Sequence, residues 1–137
     1  MKFLGHLIIG LLLLCTYFWI GSEAFIIAIA YMAVDLDHIQ ILLKERAFSF
    51  KKMKYLLVHG YEKYGLNPKQ AFEGQFFIFH SIEFLIILLI GAYFWQPNLY
   101  FIALGVGLHI LTDVIHHSIK GFPIFKWLFL SSSLFVK

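Results

Sequence analysis

The sequence predicts an all-α integral membrane protein: four transmembrane helices in two hairpins, with an interfacial amphipathic helix in the central loop. Three observations lead there. The 137 residues are 61% hydrophobic and 14% charged, with a mean hydropathy of +0.81. Ordinary soluble domains carry about 25% charged residues, so this chain has more apolar surface than one small globule can hide. Four apolar stretches approach the roughly 20 residues that a bilayer crossing needs. The basic residues fall in a pattern that four crossings explain.

The first expected span runs over residues 3–20 and the second over 24–43, joined by Gly21-Ser22-Glu23. The third is 76–95 and the fourth 99–119, joined by Gln96-Pro97-Asn98, a strong turn signal. Between the hairpins lies a polar loop, 44–75. In it Phe50, Met53, Leu57, Tyr61 and Tyr64 recur at helical spacing beside Lys51, Lys52 and Lys54, as in a helix lying on a membrane surface. Asn67-Pro68 reads as an N-cap with proline in the first turn. Residues 122–136 read as an interfacial tail. Tyr17, Trp19, Tyr93, Trp95, Tyr100 and Trp127 sit near span ends, where membrane-interface anchors belong.

All 11 Lys and Arg residues then lie on one side: Lys2, the seven in the central loop, and Lys120, Lys126 and Lys137. The two hairpin turns have none. Under the positive-inside rule both termini and the long loop are cytoplasmic, in the plasma (inner) membrane. Topology thus accounts for the net charge of +3, and nucleic acid is not an expected partner. The start also has a signal-peptide look, but its 18-residue apolar run exceeds the usual 7–15. The lone cysteine, Cys15, excludes an internal disulfide and a thiolate zinc cluster. The whole chain reads as a single transmembrane domain.

Ionisable residues inside the apolar stretches are the chemical signal. They are His6, Asp35, Asp37, His38, His80, Glu83, His109, Asp113, His116 and His117. An acidic side chain at mid-bilayer costs about 2.5–3.5 kcal/mol on insertion scales, so a set of them must face inward and be compensated. A bound cation is the cheapest compensation for carboxylates beside imidazoles. The set also gathers at one depth, the cytoplasmic half of each span. At about 100° per residue, His109 and Asp113 lie about 40° apart and His116 about 20° from His109, forming one stripe. Asp35 and His38 can share a face, whereas Asp37 points away from Asp35 unless the helix breaks there. We therefore expect His6, Asp35, His38, His80, His109, Asp113 and one of His116 and His117 as candidate metal ligands. Glu83 and Asp37 are candidate groups to orient a water or take its proton. His59, among loop lysines, reads as solvated surface.

Taken in order, Gly5-His6 with Gly10, Asp35-Leu36-Asp37-His38, His80-Ser81 and His109-x-x-x-Asp113 resemble the family of membrane-bound metal-dependent hydrolases, distantly related to the zinc-dependent phospholipase C superfamily. The resemblance implies that His6, Asp35 or Asp37, His80, His109 and Asp113 correspond to metal ligands, with zinc the usual metal. The chain departs from that pattern at Gln75-Phe76-Phe77-Ile78-Phe79, where many relatives have His-Arg-Gly and a threonine, and it lacks a second His-x-x-x-Glu pair. One or two ions are expected, not three. The implied function is hydrolysis of phosphoesters, lipid headgroup phosphates among them, with membrane lipid as partner. The alternatives are a non-catalytic metal-binding or divalent-cation-handling protein, a haem protein with paired histidines, and a scaffold in which polar residues only join helices.

Overall fold

In a computed structural model of the chain, the described residues are 3–44, 46, 48–55, 77–120 and 128–129. They are helical, with no strand among them. In order they form α1 (Phe3–Cys15), α2 (Tyr17–Ile20), α3 (Glu23–Ala33), a 3-10 helix (Val34–His38), α4 (Ile39–Lys44), α5 (Ile82–Phe94) and α6 (Leu99–Lys120). Residues 50–55 add a short helical stretch.

The four-span expectation is corrected here. Among the described residues one helix, Leu99–Ile119, is long and apolar enough to cross a membrane; Gly5–Ile20 and Ile82–Phe94 are apolar but shorter. Each expected span is cut short for a local reason. At the first, the Thr16 hydroxyl donates to the Leu13 carbonyl (2.6 Å), α1 stops at Cys15, and Gly21, with φ of +69°, turns the chain after α2. At the second, Asp35 and Asp37 stand where α-helix gives way to five residues of 3-10 helix; aspartate is a poor interior helix former. At the third, α5 begins at Ile82, not Phe76, because Ser81 is extended and caps it, its hydroxyl accepting the Phe84 N–H at 3.2 Å. Only the fourth keeps its expected limits. Leu57, Tyr61, Tyr64, His59, Asn67-Pro68 and the 122–136 tail lie outside the described residues, apart from Leu128 and Phe129. At the start of the surface-helix segment the Ser49 hydroxyl accepts the Lys52 N–H (3.3 Å), and Lys51, Lys52 and Lys54 are exposed.

α3 is the hub, packed against both α1 and α6, and α5 packs against α6. Small residues make this possible: Ala24, Ala28 and Ala30 of α3 and Ala103 and Gly105 of α6 are buried. A second cluster of Val34, Val106 and Ile110, flanked by Phe79, Phe84 and Leu85, seats the segment that precedes α5. The large apolar side chains point the other way. Leu11, Leu12, Phe18 and Trp19 of α1 and α2, Ile87, Ile90 and Phe94 of α5, and Ile115 and Ile119 of α6 are exposed, while His6, Asp37 and His109 are buried. This inverts the soluble pattern of apolar inside and charged outside.

Candidate metal centre

Each helix break positions a ligand-type side chain. Asp35 and Asp37 come from the 3-10 turn after α3. His80 comes from the turn before α5. His109 and Asp113 stand one turn apart on α6, and His6 lies in the first turns of α1. The structure brings His6, Asp35, His80, His109 and Asp113 together. Their ligand atoms form groups within 4.8 Å: His6, Asp35 and His109; His80, His109 and Asp113; and Asp35, His38 and His80.

The Asp113 carboxylate lies at the middle. One oxygen is 3.1 Å from His6 Nε2; the other is 3.4 Å from His109 Nε2 and 3.8 Å from His80 Nε2. Asp35 Oδ1 faces it, 3.6 Å from His109 Nε2 and 4.0 Å from His80 Nε2. The rings pack closely too, with His6 stacked on His109 at 4.2 Å and His80 edge-on to His109 at 5.1 Å.

Hydrogen-bond polarity decides what this cluster can hold. His109 Nδ1 lies 2.7 Å from the Tyr31 carbonyl. A carbonyl only accepts, so His109 carries a proton on Nδ1 and turns Nε2 inward. His80 Nδ1 is 3.3 Å from Asp37 Oδ2, which places the proton of that ring on Nδ1 also. The inward Nε2 atoms of both rings are buried and have no hydrogen-bond partner among the described residues. These two nitrogens thus face the carboxylates of Asp35 and Asp113 without a hydrogen bond to them. Such a set is costly empty and favourable around a cation. Two ligands of a tetrahedral zinc at about 2.0–2.1 Å lie roughly 3.4 Å apart, and the closest pairs here, at 3.1–3.6 Å, match that spacing. The residues therefore fit a divalent metal ion.

Of the remaining candidates, His38 joins the third group with Asp35 and His80, and the others fall outside all three. Asp37 belongs to none of the three groups. Its carboxylate accepts the Phe79 N–H (2.7 Å) and the His80 N–H (3.3 Å) and holds the far edge of the His80 ring. Because the helix tightens to 3-10 there, Asp35 and Asp37 clasp opposite edges of one imidazole. A carboxylate that orients a ligand histidine in this way tunes affinity by 10–100-fold. Asp37→Ala is accordingly expected to weaken metal binding by about that factor, measured by calorimetric titration of the purified protein. His38 sits at the rim, with Nδ1 3.8 Å from Asp35 Oδ1 and a side chain 41% exposed. Glu83, in the first turn of α5, and His116 lie outside all three groups, as does buried His117.

Two residues at the site carried no sequence signal strong enough to single them out. Tyr31 is fully buried beside both His6 and His109, and Thr112 hydrogen-bonds it. Tyr31 stands four residues before Asp35 on one helix face, a spacing that marks it in retrospect.

Comparison with known proteins finds no matching family, no matching curated protein and no matching solved structure. The donor set and its geometry therefore carry the functional reading.

Proposed function

We propose that the chain is a membrane-embedded, metal-dependent hydrolase of phosphoesters, lipid headgroup phosphates among them, with one or two zinc ions. The observation that carries the proposal is the pair of buried His80 and His109 Nε2 atoms that face Asp35 and Asp113 and lack a hydrogen-bond partner among the described residues. A zinc ion there would lower the pKa of a bound water to about 7 and polarise a phosphoryl oxygen. His6, His80, His109, Asp35 and Asp113 would hold it. His109 is sealed, whereas Asp35 and Asp113 keep 16% and 19% side-chain exposure, so substrate approaches past the carboxylates and His38. An oxygen of either carboxylate is placed to take a proton from water at that mouth.

The exposed apolar side chains of α1, α5 and α6 support lipid as the surrounding medium. Orientation follows from α6. Its Pro97-Asn98 end lacks basic residues and Lys120 marks the other, which the positive-inside rule puts in the cytoplasm. Asp113 lies two turns from Lys120 and touches His6, so the N-terminus shares that side. Both termini are then cytoplasmic and the site opens near headgroup depth.

One observation favours a second reading, a non-catalytic metal-binding or cation-handling protein. The three groups overlap, and if His6, Asp35, His80, His109 and Asp113 all bound one ion no position would stay open, which is the mark of a structural site rather than a catalytic one. A single experiment separates the two. Detergent-purified wild type, His80→Ala and His109→Ala are compared by elemental analysis and by hydrolysis of phosphomonoester and phospholipid substrates. Stoichiometric metal in the wild type only, with chelator-sensitive hydrolysis, supports the enzyme. Metal without hydrolysis selects the second reading, and no metal in the wild type removes both.

A further inference from the structure

One basic stretch takes no part in the metal cluster. Lys51, Lys52 and Lys54 fall within four residues, and residues 48–55 contain no acidic side chain. All three lysines are exposed. So are the aromatic side chains among them: Phe48 is 81% and Phe50 76% exposed, and Tyr55 is exposed as well. Clustered positive charge calls for an anionic partner, and exposed rings call for an apolar boundary.

The stretch is not divided into an apolar and a charged face. Residues 50–55 are helical, and the Ser49 hydroxyl accepts the Lys52 N–H at 3.3 Å. At about 100° per residue, Lys54 lies about 40° from Phe50 around the helix. Ring and ammonium thus share a side. A helix lying on lipid by one apolar face would keep them apart. A shared side suits the headgroup layer, where rings reach the acyl boundary while ammonium groups stay level with the phosphates. It fits a soluble polyanion less well, because such a partner would engage the lysines and leave Phe48 and Phe50 in water.

We infer that residues 48–55 are a docking surface for anionic phospholipid headgroups of the cytoplasmic leaflet, with Phe48 and Phe50 at the acyl boundary and Lys51, Lys52 and Lys54 on the phosphates. The inference rests on the membrane reading of the chain and is independent of the metal and of hydrolysis. It adds a lipid preference to that reading: the stretch engages an anionic leaflet and leaves a neutral one. Each lysine close to an anionic surface raises the docked-to-free ratio about fivefold, and three together about 100-fold.

The test uses the full chain in vesicles, in a Cys15→Ser background, with one bimane label on Phe48→Cys. A second sample carries the label on Ile87→Cys, an exposed position of α5. The vesicles are pure phosphatidylcholine or contain phosphatidylglycerol, and the quenchers are lipids with a nitroxide on the headgroup or at mid-chain. The label at 48 should be quenched by the headgroup nitroxide in phosphatidylglycerol vesicles and far less in pure phosphatidylcholine. The difference should fade at about 1 M salt, where the Debye length falls to about 3 Å. Lys51→Gln, Lys52→Gln and Lys54→Gln combined should lower the docked-to-free ratio by about 100-fold. Equal quenching in the two kinds of vesicle, or full quenching in the triple variant, overturns the inference. Release of the label by a soluble oligonucleotide overturns it too and assigns the lysines to nucleic acid. The label at 87 judges the membrane reading separately, since mid-chain nitroxide should quench it in both vesicles. If it is quenched and the label at 48 is not, the docking surface alone falls; if neither is quenched, the membrane reading falls with it.

Discussion

Asp113→Asn is expected to lower metal affinity by more than about 100-fold, beyond the range for residues that only orient a ligand, while leaving the metal-free protein at least as stable as wild type. The two signs come from one cause. Asp113 lies within 4 Å of three imidazole nitrogens, those of His6, His80 and His109. Around a cation it supplies charge and a ligand oxygen. Without one it faces the His80 and His109 Nε2 atoms with no hydrogen bond to either. The amide of asparagine removes the charge and brings an N–H₂ donor to His109 Nε2. Satisfying one buried polar group this way is worth about 1–3 kcal/mol. The bracing alternative predicts the reverse. If Asp113 served only to pair with protonated histidines, breaking a buried ion pair would cost about 3–5 kcal/mol with chelator present. Thermal unfolding with EDTA and with saturating zinc separates them. Wild type should gain about 2.7 kcal/mol from ligand at 100 times its dissociation constant, and Asp113→Asn much less. A variant that melts well below wild type in EDTA would refute the metal-centre reading.

The site was more legible in the sequence than the fold was. Ionisable residues inside apolar stretches stand out whatever the helices do, and His6, Asp35, His80, His109 and Asp113 meet as their types and depths suggested. Helix limits were harder, because hydropathy counts apolar residues and is blind to breaks within them. Phe77, Ile78 and Phe79 read as span, yet Ser81 caps α5 and the residues before it form the turn that delivers His80. The Ser81 cap, two residues before Glu83, was present as a signal and was outweighed by the apolar run. The 3-10 turn at Val34–His38 likewise depends on a distant partner. Asp37 accepts backbone N–H groups from Phe79 and His80, over forty residues away. No local pattern encodes that bond, and the same bond moves Asp37 from facing away to gripping His80. Tyr31 escaped for a different reason. A tyrosine in an apolar run reads as packing, and only the fold brings His6 and Thr112 to its hydroxyl.

The contact that registers these parts is the approach of α3 to α6 at Gly105, and Gly105→Ala is expected to be the most damaging small substitution in the chain. A Cβ added there would fall onto the Ile27 carbonyl oxygen and within 2.8 Å of Ala30 Cβ and 2.9 Å of the Tyr31 nitrogen. Two of those three atoms are backbone of α3, so no side-chain rotation relieves the clash and the helices must part. Alanine gains about 1 kcal/mol of helix propensity over glycine, but overpacking a tight contact costs about 1–3 kcal/mol and occasionally more, and a backbone clash belongs at the upper end. The loss reaches the site. The Tyr31 carbonyl that fixes His109 at 2.7 Å lies on the same face, one turn along α6 from Gly105. Spreading α3 from α6 lengthens that bond first and should reduce metal affinity as well as stability. Gly107→Ala provides the control. Its added Cβ meets only the Leu85 methyls at 3.8 Å, an ordinary contact, so it should match wild type in metal binding and gain up to about 1 kcal/mol in stability. Unfolding and metal titration of the two variants side by side check the argument. If both behave alike, α3 and α6 do not meet at Gly105 as closely as the geometry requires, and the registration of Tyr31 against His109 loses its basis.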